Sequence, residues 1–177
     1  DMKTWVIDPD HSVAAFSIRH MMIAQVRGQF NKIEGSVRFD PEDISSSSVE
    51  LTIDASSVIS GVAKRDEHLM SADFLDTAKY PVISFKSSHI KALGPGRGLV
   101  TGGLTLHGVT KSITVEVLYT GPVKDPFGDG LSMGFSIAAK VNREDFAITW
   151  NQPMPDFGVM LGLEVELMID LEADLAT

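Results

Sequence analysis

The sequence has no cysteine among its 177 residues. Disulfides and thiol chemistry are therefore excluded, and the redox compartment leaves no mark on the chain. Basic residues are also scarce: 15 Lys and Arg stand against 24 Asp and Glu, for a formal net charge of −9. That balance argues against nucleic acid and against electrostatic docking on anionic lipid, since both need a basic surface. Apolar runs are short, because Gly, Ser or an acid interrupts each of the longer ones. Nothing approaches a membrane-spanning helix, so no stable membrane insertion is expected. No Asn-x-Ser/Thr acceptor, internal repeat or linker occurs, and the length suits a single domain over residues 1–177. Met2-Lys3-Thr4-Trp5 enters an extended run at once, with no positive stretch and apolar core before it. The expectation is a cytoplasmic protein without a leader, or a periplasmic or secreted one if a leader has been removed.

What the chain does have is alternation. From Leu161 to Leu171 the odd positions are Leu, Leu, Val, Leu, Ile and Leu, while Glu164, Glu166 and Asp170 fall on even ones. A period of two means a strand with one face buried and one in water. The same pattern puts Ala14, Phe16, Ile18 and His20 on one face, then Ile33, Gly35, Val37 and Phe39, then Val49, Leu51 and Ile53. Further inward sets are Ile83 and Phe85, then Val100, Gly102, Leu104 and Leu106, then Leu131, Met133, Phe135, Ile137, Ala139 and Val141. About eight extended runs separated by turn signals suggest a sandwich or closed barrel. One helix is expected over Ser60–Met70, with Ser60 as its N-cap and Val62, Leu69 and Met70 as apolar positions. A single helix cannot supply the crossovers of a parallel sheet. Gly121 to Gly130 and Asn142 to Asp156 read as irregular loops.

Ionisable residues form no catalytic pattern. Arg65-Asp66-Glu67-His68 reads as a solvated helix face. The histidines at 11, 20, 68, 89 and 107 lack short metal-binding spacing, so no metal site is expected. Gly94 to Gly98 lacks the ending of a phosphate loop and reads as a hairpin turn. Ser136 lies mid-strand without a base, and no catalytic residue is assigned. The interior is the remaining place for function. Phe16, Phe30, Phe39, Phe85, Met133 and Phe135 project inward from different strands. They make either an ordinary core or the wall of a ligand cavity, since a barrel of eight strands can be filled or hold one ligand. Small inward residues, Ala14, Gly35, Gly102 and Ala139, are expected to leave space between the large ones.

Ordered segments along the chain resemble the YceI-like family. They are Trp5-Val6-Ile7-Asp8 with His11-Ser12, Phe16-Ser17-Ile18-Arg19-His20, and Val26-Arg27-Gly28-Gln29-Phe30. Arg65-Asp66 with His68-Leu69 and Asp73-Phe74, then Tyr80-Pro81-Val82-Ile83-Ser84-Phe85, continue the series. Gly103 to Thr110 and Arg143-Glu144-Asp145-Phe146 complete it. Leu75 stands where the family often has a second Phe, and Ala147 where it often has Gly. The resemblance implies an all-β fold: an extended antiparallel eight-stranded lipocalin-like barrel with a helical insertion at about 60–80. It also implies an apolar tunnel for a long isoprenoid chain, such as a polyprenyl phosphate or a quinone, held by a carrier or storage protein rather than an enzyme. No cofactor other than a bound isoprenoid lipid is implied, and a homodimer stays open. The tunnel residues would be Phe16, Ile18, His20, Phe30, Phe39, Phe85, Gly102, Leu104, Met133, Phe135 and Ile137. His20 and Arg143 would orient the head, with Trp150 near the mouth. An enzyme acting on such a lipid, or a stress-related structural domain with a filled core, are the alternatives.

Overall fold

The computed structural model describes residues 1–156 and 158–177, in which the alternating runs become eleven strands and the insertion one helix. In chain order they are β1 (Lys3–Ile7), β2 (Val13–His20), β3 (Ala24–Phe30), β4 (Ile33–Phe39), β5 (Ser48–Asp54) and β6 (Val58–Ile59). Helix α1 (Ala63–Met70) follows, then β7 (Val82–Gly94), β8 (Arg97–Leu106), β9 (Val109–Lys124), β10 (Leu131–Asn142) and β11 (Leu161–Leu175). Eight of the strands close on themselves in the order β1-β4-β5-β7-β8-β9-β10-β11, with β1 pairing back on β11. All the pairings are antiparallel. Closure removes the free edges that an open sheet of this size would expose.

Strand β11 carries the barrel into a second element. Its C-terminal end pairs with β1 (Ile7 opposite Ala173), while its N-terminal two-thirds pairs with β2 (Leu167 opposite Phe16). β3 and β6 extend the sheet from there. Parity along β11 follows the sequence pattern, with one exception. The pairing with β2 shifts register between Leu161 and Val165. This irregularity turns Leu163 outward, where it is 40 % exposed. A similar shift on β7, between Ser87 and His89, brings Ile90 inward after Phe85.

The inside of the barrel differs between its ends. At the β1 end Trp5, Ile7, Val37, Met133, Leu171 and Ala173 form a close core. At the other end Phe74, Ile148 and Leu161 pack with Leu69 and Trp150, so the helical insertion lies over the barrel opening. Three local expectations are corrected. The helix starts after Val62, not at Ser60, whose N–H and hydroxyl both donate to the Asp66 carboxylate. Val62 itself is exposed and anchors nothing. β9 continues through Gly121-Pro122 to Lys124, so the loop there is shorter than its glycines suggest.

Candidate functional site: a hollow barrel with a basic mouth

Inward side chains leave two adjoining chambers. The deep chamber, about 120 Å³, is walled by residues including Phe39, Phe85, Phe135, Ile137 and Ala139. The mouth chamber, about 290 Å³, is walled by β2, β3, the N-terminal half of β11, α1 and the segment after β10. Ile53, Ile83, Leu104, Leu167 and Ile169 line both, so the two share a wall along the barrel interior. The lining from Leu161 to Leu171 spans roughly 30 Å of extended chain. Nearly every lining residue is hydrocarbon. The deep chamber adds only the hydroxyls of Ser47, Ser84 and Tyr119, whereas His20, Arg65, His68 and Arg143 all line the mouth, where no carboxylate among the described residues lines the wall.

Arg143 opens a 3₁₀ turn (Arg143–Phe146) directly after β10 and is only 3 % exposed. Its Nε donates to Gly162 O at 2.8 Å, and one terminal nitrogen donates to Ile148 O (3.0 Å) and Trp150 O (2.8 Å). The other terminal nitrogen has no acceptor among the described residues. Burial lowers its pKa from the usual value, against a smaller opposite effect of Glu144. Arg143 thus clamps the loop 146–150 onto β11 and holds a positive charge beneath the mouth. Ala147 ends that turn with φ of 58°, the left-handed conformation that a glycine adopts more easily.

The opposite rim comes from α1. Arg65, His68 and Leu69 occupy positions i, i+3 and i+4, which share one helix face. That face turns to the chamber, so the reading of Arg65 and His68 as a solvated surface is corrected. Ser60 orients Arg65 by accepting from its Nε and from a terminal nitrogen, both at 2.8 Å. His68 Nε2 donates to Asp73 at 2.8 Å. The His68 ring meets Phe74 edge-on at 4.9 Å and Trp150 at 5.0 Å, and these three rings cap the mouth. The helical spacing of Arg65, His68 and Leu69 is the sequence signal for these residues. Nothing in the periodicity points to Ile148 or Met160, which line the chamber from an irregular segment.

Phe16, Ile18, His20, Phe30, Leu104, Arg143 and Trp150 line the mouth chamber; Phe39, Phe85, Leu104, Phe135 and Ile137 line the deep one. Two expected tunnel residues lie elsewhere. Met133 is buried in the core at the β1 end. Gly102 borders neither chamber. A Cβ on it would collide with Lys86 O and with the Phe85 ring. Gly35 is likewise pressed on β5, where a Cβ would collide with Glu50 O. These glycines permit close strand approach and leave no room for a ligand. Ala14 and Ala139 do face cavities.

Far from the mouth, Asp8, His11 and Glu172 place ligand-type atoms within 4.8 Å of one another. His11 Nδ1 is already hydrogen-bonded to Asp8 at 2.6 Å. That bond, first among several causes, lowers the Asp8 pKa and raises that of His11.

A family model described as YceI-like domain matches residues 5–173. The chain belongs to the YceI-like family. A UPF0312 protein of Vibrio parahaemolyticus is 37 % identical over 168 residues, which cover 94 % of this chain and 85 % of the relative. Among solved structures, Burkholderia cenocepacia BcnA superposes with a TM-score of 0.81 at 24 % identity, covering 97 % of this chain and 99 % of that one. A polyisoprenoid binding domain from Saccharophagus degradans, implicated in plant cell wall breakdown, gives 0.69 at 16 % identity over 97 % and 98 % of the two chains. At those identities the two structures speak to the fold, and the fold they share is this barrel.

Proposed function

We propose that the protein binds a long-chain isoprenoid lipid, with the tail along the barrel interior and the head at the basic mouth, as a carrier or storage protein and not as an enzyme. The observation that carries this reading is the pair of adjoining, almost wholly hydrocarbon chambers with the cationic and imidazole side chains confined to one end. Burying about twenty tail carbons at ~0.8 kcal/mol each supplies on the order of 16 kcal/mol before association and ordering costs, which remove much of it. Hydrocarbon contact of this kind needs no polar group along the tail. His20 and Arg65 are positioned to donate to the head, His68 lies beside them with its Nε2–H already given to Asp73, and Arg143 adds positive charge behind them. That set suits an acceptor-rich head, such as a phosphate or a quinone carbonyl. The polyisoprenoid binding domain among the structural neighbours adds support.

The two tryptophans make the test direct. Trp150 lines the mouth, while Trp5 is buried in the closed end and serves as an internal reference. Titrating delipidated protein with a twenty-carbon isoprenol should change tryptophan fluorescence saturably, and Trp150→Phe should abolish the change. An unchanged spectrum in the parent protein, with no isoprenol retained after gel filtration, would refute the proposal.

A further inference from the structure

The connection between β2 and β3 runs against two preferences at once. Met21 and Met22, the central residues of its turn, have φ of 51° and 62°. Tight hairpins need that backbone, and Asn and Gly supply it with the least steric conflict. Methionine has a Cβ that crowds the following carbonyl there. The tip is also apolar and in water: Met21 is 39 % exposed, Met22 48 % and Ile23 80 %. The turn alone would be better made by other residues, so the observation to explain is why these side chains are displayed.

Their position supplies the reason. His20, immediately before the tip, lines the mouth chamber, as does Met160. Met21 N–H donates to Met160 O at 2.6 Å, which fixes the tip to the chamber rim. A Cβ on Gly158 would collide with the Met22 thioether, which lies over this glycine, and its neighbour Val159 is also exposed. The Arg19 guanidinium donates to Met22 O just behind the tip. The apolar tip therefore stands beside the opening through which a lipid would pass.

We propose that Met21, Met22 and Ile23 insert into the surface of a lipid bilayer, setting the chamber mouth against the membrane so that the isoprenoid tail moves between bilayer and barrel without crossing water. This rests on the isoprenoid-binding reading above. Three considerations select a bilayer over a protein partner. Among the described residues the tip with Val159 offers four exposed apolar side chains, whereas a specific protein interface engages roughly 20–30 residues a side. A bilayer accepts a small protrusion without a complementary surface. Unbranched methionine adapts to an irregular, fluid environment. The net charge of −9 disfavours approach to an anionic surface as a whole, and insertion into a zwitterionic bilayer rests on apolar contact at the tip and tolerates salt.

The test uses the full chain and vesicles of phosphatidylcholine alone, carrying a fluorescent long-chain isoprenoid. The parent protein should float with the vesicles and extract the isoprenoid, equally in low salt and in about 1 M salt, where the Debye length is about 3 Å. Met22→Ser with Ile23→Ser should lower both flotation and extraction rate by about tenfold or more. The same variant should keep uptake of a short isoprenol offered in solution. Phe127→Ser, which removes an exposed aromatic from the loop at the opposite end of the barrel, should change nothing. Equal flotation of parent and tip variant would overturn the proposal, as would flotation lost in salt. Binding only to native membranes that carry protein would assign the tip to a protein partner and overturn it too. Failure of the parent to take up the soluble isoprenol would instead refute the isoprenoid-binding reading itself.

Discussion

Arg143 shows how one side chain can decide a loop. Three of its N–H groups satisfy carbonyls at 148, 150 and 162. Arg143→Ala strands those acceptors and opens a void under the mouth. The expected cost is about 3 kcal/mol or more, read as a lower urea midpoint at unchanged slope. Arg143→Lys should recover little, since an ammonium cannot reproduce the planar fork. A second residue-scale prediction concerns Asp8 and His11. The Asp8 carboxyl is held below its ordinary 3.8. Its stabilising effect is therefore present above that value and is lost as pH falls through the folded pKa. The His11 imidazole is raised above its ordinary 6.5. Its effect is complete below 6.5 and is lost as pH rises through the folded pKa. The pair should contribute most between those two ordinary values, so His11→Asn should lower stability there and flatten the profile on the acid and neutral flanks, where the contribution is otherwise lost. A parent and variant with parallel profiles across the acid and neutral range would contradict the assignment.

Strand β11 is the element where sequence and structure agree most closely and also where they part. Parity places Val165, Leu167, Ile169 and Leu171 inside, as alternation requires of a barrel with one wet face. Leu167→Asp should cost several kcal/mol, because the carboxylate is buried without a partner. Glu166→Lys should change stability by less than about 0.5 kcal/mol. Leu163→Ser separates pattern from register: strict parity gives it a core-sized loss, while the register shift with β2, which leaves the side chain 40 % exposed, gives a clearly smaller one. Chemical denaturation of the three variants decides. Periodicity cannot reveal that shift, since it arises from pairing with a strand far away in sequence. It also misreads Gly35 and Gly102, because an absent side chain looks the same whether it leaves a cavity or admits a neighbouring backbone. The helical insertion is legible as an element. The direction of Arg65 and His68 is not read from their charge, although their spacing from Leu69 holds the information.

At the scale of the molecule, one closed sheet is packed at the β1 end and hollow toward the mouth. The expectation of an eight-stranded barrel comes from ordered resemblance as much as from alternation, since alternation alone leaves a sandwich open. Whether the interior is core or cavity cannot be read from inward residues at all: Met133 and Phe135 share a face of β10, yet one fills the core and the other also borders a chamber. That difference is set by β1, whose Trp5 and Ile7 plug one end. The most direct measurement is native mass spectrometry of the delipidated protein after incubation with a long-chain isoprenol. The account predicts one added ligand per chain, and Ala139→Phe, which places a ring in the deep chamber, should abolish it while the chain stays folded. A spectrum showing only the mass of the bare chain, before and after incubation, would contradict the account.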